Sequence, residues 1–384
     1  MPLPRLILLF LIAFLVGADE FLLGPILTPI GSDLGVPPER VVLFVAAYSL
    51  PLALLAPIFG NLSDRFGRVT VLAPASLVFA IASIATSLVN SFELGLLTRV
   101  VTGAASAGML PVAFALAGDE GEAKGAKAIA VVTSGLTLGI ILSPSIGALA
   151  TQYISWRSAF AGLGVLALPI ALFGFLSRKS MATKTSALPD DGQLFVPGAI
   201  GALIAMGLGL GGAIGMFALV GERLRDQFEL GTGTIGLIYA GFGLLTFAGN
   251  FLMPSAVRLF GSGRRIMRVA LCFVLVAIVV IYALDIAPLI LVCAALAAWA
   301  LLGGVGAPAL QTHIAALSAE RRGTLMAFAM SAMNLGVAAA TGLASLAYGV
   351  SAVWVAVLAI ALLCAAIVSL MPVSSTEKEG AAPS

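Results

Sequence analysis

Twelve long apolar runs, each closed by a short polar or Gly/Pro-containing break, limit what this chain can become. They cover residues 6–30, 41–62, 69–88, 94–117, 126–152, 159–176, 196–220, 234–253, 266–284, 288–317, 324–347 and 350–371. A helix needs about 20 mainly apolar residues to cross the hydrocarbon core of a bilayer. Only helices and closed barrels satisfy all their backbone polar groups there. The runs show no two-residue alternation, which excludes the barrel. Composition points the same way: 60% of the 384 residues are hydrophobic and 10% charged, against about 25% charged in a soluble domain. So few charges cannot hold this apolar surface in water, and lipid must be the solvent. Arg5 ahead of the first run imitates a secretory signal. However, no small-x-small cleavage site follows and the run continues through Asp19 and Glu20, so a retained span is expected.

Placing the N-terminus in the cytoplasm lets the loop charges test the count. Fifteen of the twenty basic residues then fall on inner segments and Arg99 inside a span. Only Arg40, Arg157, Arg223 and Arg225 fall on outer ones. This is the positive-inside bias, with both termini cytoplasmic. The expectation is an all-α membrane protein of the cell (inner) membrane, with twelve spans in two pseudo-symmetric six-helix bundles, 1–176 and 196–372. A cytoplasmic linker, 177–195, carries Arg178, Lys179, Lys184, Pro189, Asp190 and Asp191, and 373–384 reads as a disordered cytoplasmic tail. The halves echo each other: Glu122, Lys124, Gly125 and Trp156 recur as Glu320, Arg322, Gly323 and Trp354, all at one offset of 198 residues. Bundle-level repeats of this kind are common in transporters.

The loop after the second run reads Gly60-Asn61-Leu62-Ser63-Asp64-Arg65-Phe66-Gly67-Arg68. Gly60 permits close helix approach and Gly67 a tight turn, and Asp64 can cap a helix or pair with an arginine. The stretch resembles the signature between helices 2 and 3 of the major facilitator superfamily, where the resemblance implies a conformational latch formed by Gly60, Asp64, Arg65, Gly67 and Arg68. The equivalent loop of the second half, from Arg258 to Arg265, keeps glycine and basic residues but has no acid where Asp64 would fall. Arg99 followed four residues later by Gly103 is similar to the family's helix 4 pattern. Gly135, Gly139, Ser143-Pro144 and Gly147-Ala148 resemble the helix 5 pattern associated with antiporters, with Ser143 and Ala148 at expected glycines. Both are small, so close helix contact should survive, and Pro144 should bend the helix. Asp19-Glu20-Phe21, Gly24-Pro25 and Leu27-x-Pro29-Ile30 look like the first helix of twelve-helix drug:proton antiporters and sugar-efflux-type permeases.

Asp19, Glu20 and Arg99 are the ionisable residues well inside spans. A charge at the bilayer centre costs about 2.5–3.5 kcal/mol even on the lenient scale, so each needs a partner or a wet cavity. Adjacent helical positions differ by about 100°, so Asp19 and Glu20 cannot share a direction. One can face a central cavity while the other meets Arg99 or a neighbouring helix. Burial disfavours a charged carboxylate and a nearby guanidinium favours it, so moving Arg99 relative to the acids would switch proton affinity. The alternative is a structural acid–arginine pair locking helix 1 to helix 4.

The expected function is a secondary transporter: proton-coupled efflux of small amphipathic molecules or drugs by alternating access. A sugar, amino-acid or other metabolite permease is the alternative, and a membrane sensor or enzyme lacks support in the motifs. Expected partners are a small-molecule substrate, protons and membrane lipids, without nucleic acid, and the chain is expected to act as a monomer. No cofactor or metal site is expected. Cys272, Cys293 and Cys364 read as small buried hydrophobes, His313 as an interfacial polar residue or second proton site, and Gly207-x-Gly209-x-Gly211-Gly212 as a hinge or close-packing face. Possible cavity residues are Tyr48, Met109, Phe217, Tyr239, Gln311 and Asn334.

Overall fold

A computed structural model describes residues 3–119, 122–177, 196–318 and 322–371. The linker 178–195, the charged positions 319–321 and the tail from residue 372 lie outside them, and with them the expectations placed there. Among the described residues, eleven helices are long and apolar enough to cross a membrane, and a bent pair makes twelve. The described residues form helices and turns without a strand.

The bent pair is α1, Leu3–Phe21 followed by Gly24–Leu34, with 41° between its parts. The continuous run expected over 6–30 is therefore broken. Pro25 has no N–H to continue the ladder, and Leu22, Leu23 and a short 3-10 turn over Gly24–Ile26 absorb the bend. Next come α2 (Pro38–Phe66), α3 (Arg68–Leu88), α4 (Phe92–Gly118), α5 (Glu122–Tyr153) and α6 (Trp156–Ser177). The second half holds α7 (Ala199–Phe217), α8 (Thr232–Phe260), α9 (Gly263–Ala283) and α10 (Leu289–Ala316), then α11 (Arg322–Val350) and α12 (Ala352–Ser369). A further stretch, Val220–Phe228, prolongs α7.

The packing repeats with a shift of six helices. In the first half α1 lies along α5, α2 along α4 and α3 along α6. In the second α7 lies along α11, α8 along α10 and α9 along α12. The halves meet where α2 rests on α11 and α5 on α8. With no hydrophobic drive between helices in lipid, such contacts depend on close backbone approach over small residues. Gly139 of α5 shows how close: a Cβ there would stand 2.2 Å from the Phe14 carbonyl oxygen of α1. Gly135 and Gly147 of the same motif also face α1, and Pro144 lies inside the helix between them. Ala148 is turned to α8 instead, against Gly236.

The glycine run of α7 is wound as a π-helix, Ala205–Gly211. Gly207 and Gly211 of that run meet the α11 backbone at Ala332, Met333 and Gly336, so it is a packing face. Large side chains such as Leu176, Leu259 and Ile286 point out of the bundle, as lipid contact requires. Two expected buried cysteines do the same: Cys272 and Cys364 are exposed and Cys293 is partly covered. In lipid an apolar position need not be a core position, so their hydrophobic surroundings did not imply burial by protein.

We call the side on which α1 begins and α12 ends the near face, and the other the far face.

Candidate functional site

The step of about 100° between adjacent helical positions places the two acids of α1, both ahead of its bend, in different surroundings. Asp19 is fully buried with Arg99 of α4, also fully buried. Arg99 Nη1 donates to both carboxylate oxygens of Asp19, at 2.8 and 2.7 Å, and Nη2 donates to the Asp19 carbonyl at 3.3 Å. Its guanidinium lies between two rings, 4.7 Å from the centroid of Tyr48 and 5.5 Å from that of Phe160. Arginine suits this place because its flat, weakly hydrated cation stacks on aromatic faces while its N–H groups pair with a carboxylate. The result is a dry, closed ion pair tying α1 to α4.

Glu20, one residue on, leaves that pair. It lines a cavity of about 20 Å³ between the halves, together with Gly24 and Val45 of the first half and Ile214, Phe217 and Tyr239 of the second. That is room for roughly one water. Its Oε1 is buried and has no hydrogen-bond partner among protein atoms. An orphaned carboxyl oxygen in an apolar cavity is costly in its charged form, so this is where a proton, a water or a cationic ligand group would act.

The Phe217 and Tyr239 rings form the opposite wall, with Phe242 and Trp299 packed around Phe217. The Phe217 ring lies 4.8 Å from Tyr239, 4.2 Å from Phe242 and 5.5 Å from Trp299, centroid to centroid. The Tyr239 hydroxyl has a second task. It donates to the Phe217 carbonyl and accepts from the Gly221 N–H, both at 3.1 Å. Those two groups are four residues apart and would bond each other in an unbroken helix, so Tyr239 is inserted into the break that turns Val220–Phe228 toward α1. Gly24 of α1 leaves the space for it, since a Cβ there would stand 2.5 Å from the hydroxyl oxygen.

Above this cavity the halves are joined. Thr28 donates to Glu222 at 2.6 Å, Arg225 donates to the Pro25 carbonyl at 3.3 Å, and Ser345 donates to the Glu39 carbonyl at 2.5 Å. Ser145 of α5 donates to the Gly236 carbonyl of α8 at 3.0 Å. The far face is closed. Glu222 and Arg223 are nearly fully buried, although the sequence placed them in an outer segment beyond the seventh span. Arg223 is neutralised by Asp285 at 2.7 Å and donates to the Ile281 carbonyl. The run of charges after Val220 lowers hydropathy, and nothing local signals that a neighbouring helix covers it.

At the near end of α2, Arg68 is paired with Asp64 and with Asp119 at 3.0 Å, and donates to Ser63 at 2.9 Å. Of the two roles open to Asp64, the pairing is the one present: Gly67 precedes α3 with φ 93° and no side chain caps that helix. Asp119, from the end of α4, is a partner the sequence did not single out. Arg65 is exposed and Gly60 faces open space.

The remaining candidates scatter. Tyr48 and Met109 are fully enclosed within the first half. Tyr48 is held by Ser106 at 2.9 Å, so its ring serves Arg99 and does not line the cavity. Phe217 and Tyr239 do line it. Gln311 and His313 are half-buried toward the near end of α10. Asn334 is buried on α11 and donates to the Met330 carbonyl, with its own Oδ1 unpaired. No group of three or more potential metal ligands occurs among the described residues.

A family model described as Major Facilitator Superfamily matches residues 9–221, just over half of the chain. An uncharacterised MFS-type transporter, YtbD of Bacillus subtilis, is 27% identical over 256 residues, which are 65% of this chain and 64% of that protein. A chloramphenicol resistance protein of Streptomyces lividans is 30% identical over 257 residues, 65% of each chain. The chain thus spans just under two thirds of the length of both relatives. Among solved structures, the human organic anion transporter MFSD10 aligns over 97% of this chain and 100% of its own, with a TM-score of 0.70 at 18% identity. That likeness concerns the fold.

Proposed function

The chain belongs to the major facilitator superfamily, and on that premise we propose that it is a secondary transporter of the cell membrane, exporting small amphipathic molecules in exchange for protons. The observation that carries this reading is Glu20: a carboxyl with an unpaired buried oxygen, in a cavity between the halves, one residue from a sealed Asp19–Arg99 pair. Neighbouring acids have separate tasks. Asp19 fixes Arg99, whose charge it neutralises, and Glu20 is left to take up either a proton or the positive end of a ligand. The Phe217 and Tyr239 rings that line the cavity, backed by Phe242 and Trp299, supply apolar surface for the rest of that ligand. Similarity to a chloramphenicol resistance protein supports export of a drug-like molecule.

Competition for one carboxyl makes an antiporter. With the far face closed, Glu20 exchanges its proton for substrate from the near side. Rocking of the halves about α2–α11 and α5–α8 then exposes the same group to the far side, where a proton displaces the substrate. One pH unit supplies about 1.4 kcal/mol, roughly a tenfold gradient for one-for-one exchange of a cation, which moves no net charge. For a substrate without net charge, 100 mV adds about 2.3 kcal/mol, together roughly 500-fold. The test is a panel of amphipathic cations, neutral drugs and sugars offered to proteoliposomes holding a trapped pH dye. One class should evoke proton movement in the wild type, and Glu20→Gln, held in the uncharged form that releases substrate, should abolish that movement and lower substrate exchange with it. Proton movement that survives in Glu20→Gln would sink the assignment. Uncoupled sugar flux would favour the permease.

A further inference from the structure

A second carboxyl is buried by the closure of the far face itself. Glu222, on the stretch that prolongs α7, is 5% exposed, although it stands outside the membrane-crossing segment. What covers it belongs largely to the other half of the protein. Thr28 of α1 donates to its Oε2 at 2.6 Å, and the neighbouring Gly221 packs on the Gly24 carbonyl of α1. Separation of the halves at this end would return Glu222 to water.

Burial disfavours its charged form, and the groups facing it pull both ways. Arg225, on its own helix, is the cation, and its Nε lies 3.9 Å from Oε2. That Nε makes no hydrogen bond, and another arm of the same side chain is engaged with Pro25. Arg223 is turned to Asp285. Asp226 on the same helix and Glu39 at the start of α2 are both close enough to oppose a charge on Glu222. From α8 comes the Tyr239 hydroxyl, and from α11 Tyr348, which donates to Asp226 at 2.5 Å. Burial pushes the Glu222 carboxyl above its ordinary range, opposed by the Thr28 hydrogen bond.

We propose that Glu222 is a second proton-binding site, filled from the far side when that face closes and emptied to the same side when it opens. The proton comes from far-side water and returns to it, so none crosses the membrane by this route. Its consequence is control of the gate. The carboxyl has its ordinary affinity when exposed and a raised one when buried. Closure therefore takes up a proton in the pH window between those two values. Acid on the far side holds the face shut, and that hold is lost as pH rises through the raised value. The proposal rests on the alternating-access part of the function above and is independent of proton exchange at Glu20.

The test needs no substrate. Spin labels on Cys introduced at Tyr153 and Ile286, exposed far-end positions in opposite halves, report the spacing by pulsed EPR in nanodiscs, with the three native cysteines replaced by Ser. Between about pH 5 and about pH 8, the wild type should pass from short to long distances, by at most about tenfold in population ratio per pH unit for one proton. Glu222→Gln should stay short throughout. Thr28→Val keeps the carboxyl but removes the bond favouring its charged form, and should move the midpoint to higher pH. Glu20→Gln should keep the wild-type response. A wild-type spacing indifferent to pH overturns the proposal. So does a response unchanged in Glu222→Gln, or one lost in Glu20→Gln instead, and in that last case the coupling role of Glu20 still stands. Conversely, a pH response carried by Glu222 without substrate-evoked proton flux would remove the coupling role and leave this site.

Discussion

At the scale of single residues, the site is a division of labour between two adjacent acids. Asp19 and Arg99 are both fully buried, so removing one partner strands the other. Breaking a buried pair from one side costs about 3–5 kcal/mol. Arg99→Met alone should therefore reduce folded, monodisperse protein sharply, and Asp19→Asn in the same chain should restore much of it. Size-exclusion chromatography after heating measures both, and a double variant no better than the single one would show that the pair is not coupled. Arg99→Lys keeps the charge but loses the flat stack between Tyr48 and Phe160, and should fall between wild type and Arg99→Met. Tyr239→Phe removes one hydroxyl that holds two backbone groups apart. Phe217 and Gly221 can then bond each other directly, so stability should change by only about 0.5–1.5 kcal/mol. The far face should open more often, read as faster maleimide labelling of a cysteine placed at Ser345, which contact with Glu39 of the other half buries.

At the scale of helices, positions that look ordinary are set by neighbours. Gly139 and the Phe14 carbonyl fix the distance between α1 and α5, and with it where Glu20 stands. A methyl at Gly139 has no room against a backbone oxygen, and overpacking of this kind costs about 1–3 kcal/mol. Gly139→Ala should lower the thermal inactivation temperature and also weaken coupling, since the acids ride on the displaced helix. Gly60→Ala meets open space and should leave both unchanged. The same comparison explains why Ala148 is tolerated within a glycine pattern. Ala148 meets a glycine of α8, so the partner helix supplies the missing volume.

At the scale of the whole molecule, the proposed transport cycle requires that the far face open, and the contacts that close it come from both halves. A Cβ on Gly349 of α11 would lie 3.9 Å from Glu39 Cγ of α2. Cysteines at these two positions, in a background without native cysteines, should therefore cross-link under mild oxidation. Transport by the oxidised protein should fall more than about tenfold and return on reduction. Full activity after complete cross-linking would show that this seam does not separate during the cycle. That tenfold loss corresponds to about 1.4 kcal/mol at least, a small demand on a covalent link.

The sequence by itself determined the solvent, the number of crossings and the family. Those depend on quantities that add along the chain: apolar length, charge distribution over loops, and motifs such as the one from Gly60 to Arg68. It also limited the ionisable residues inside the spans to Asp19, Glu20 and Arg99, because such groups in apolar runs are visible without any fold. It did not decide which acid meets Arg99, since two directions about 100° apart are equivalent until packing of α1 along α5 fixes the helix. Nor did it show that Tyr48 serves the arginine while Phe217 and Tyr239 form the cavity, because all three are aromatic positions in apolar helices. Asp119 beside Arg68, and Glu222 under Thr28, were likewise hidden. Each becomes a partner only when helices distant in sequence are brought together, by 51 residues in the first case and 194 in the second. Burial and pairing of charge are properties of that assembly, and the tertiary structure alone decided them.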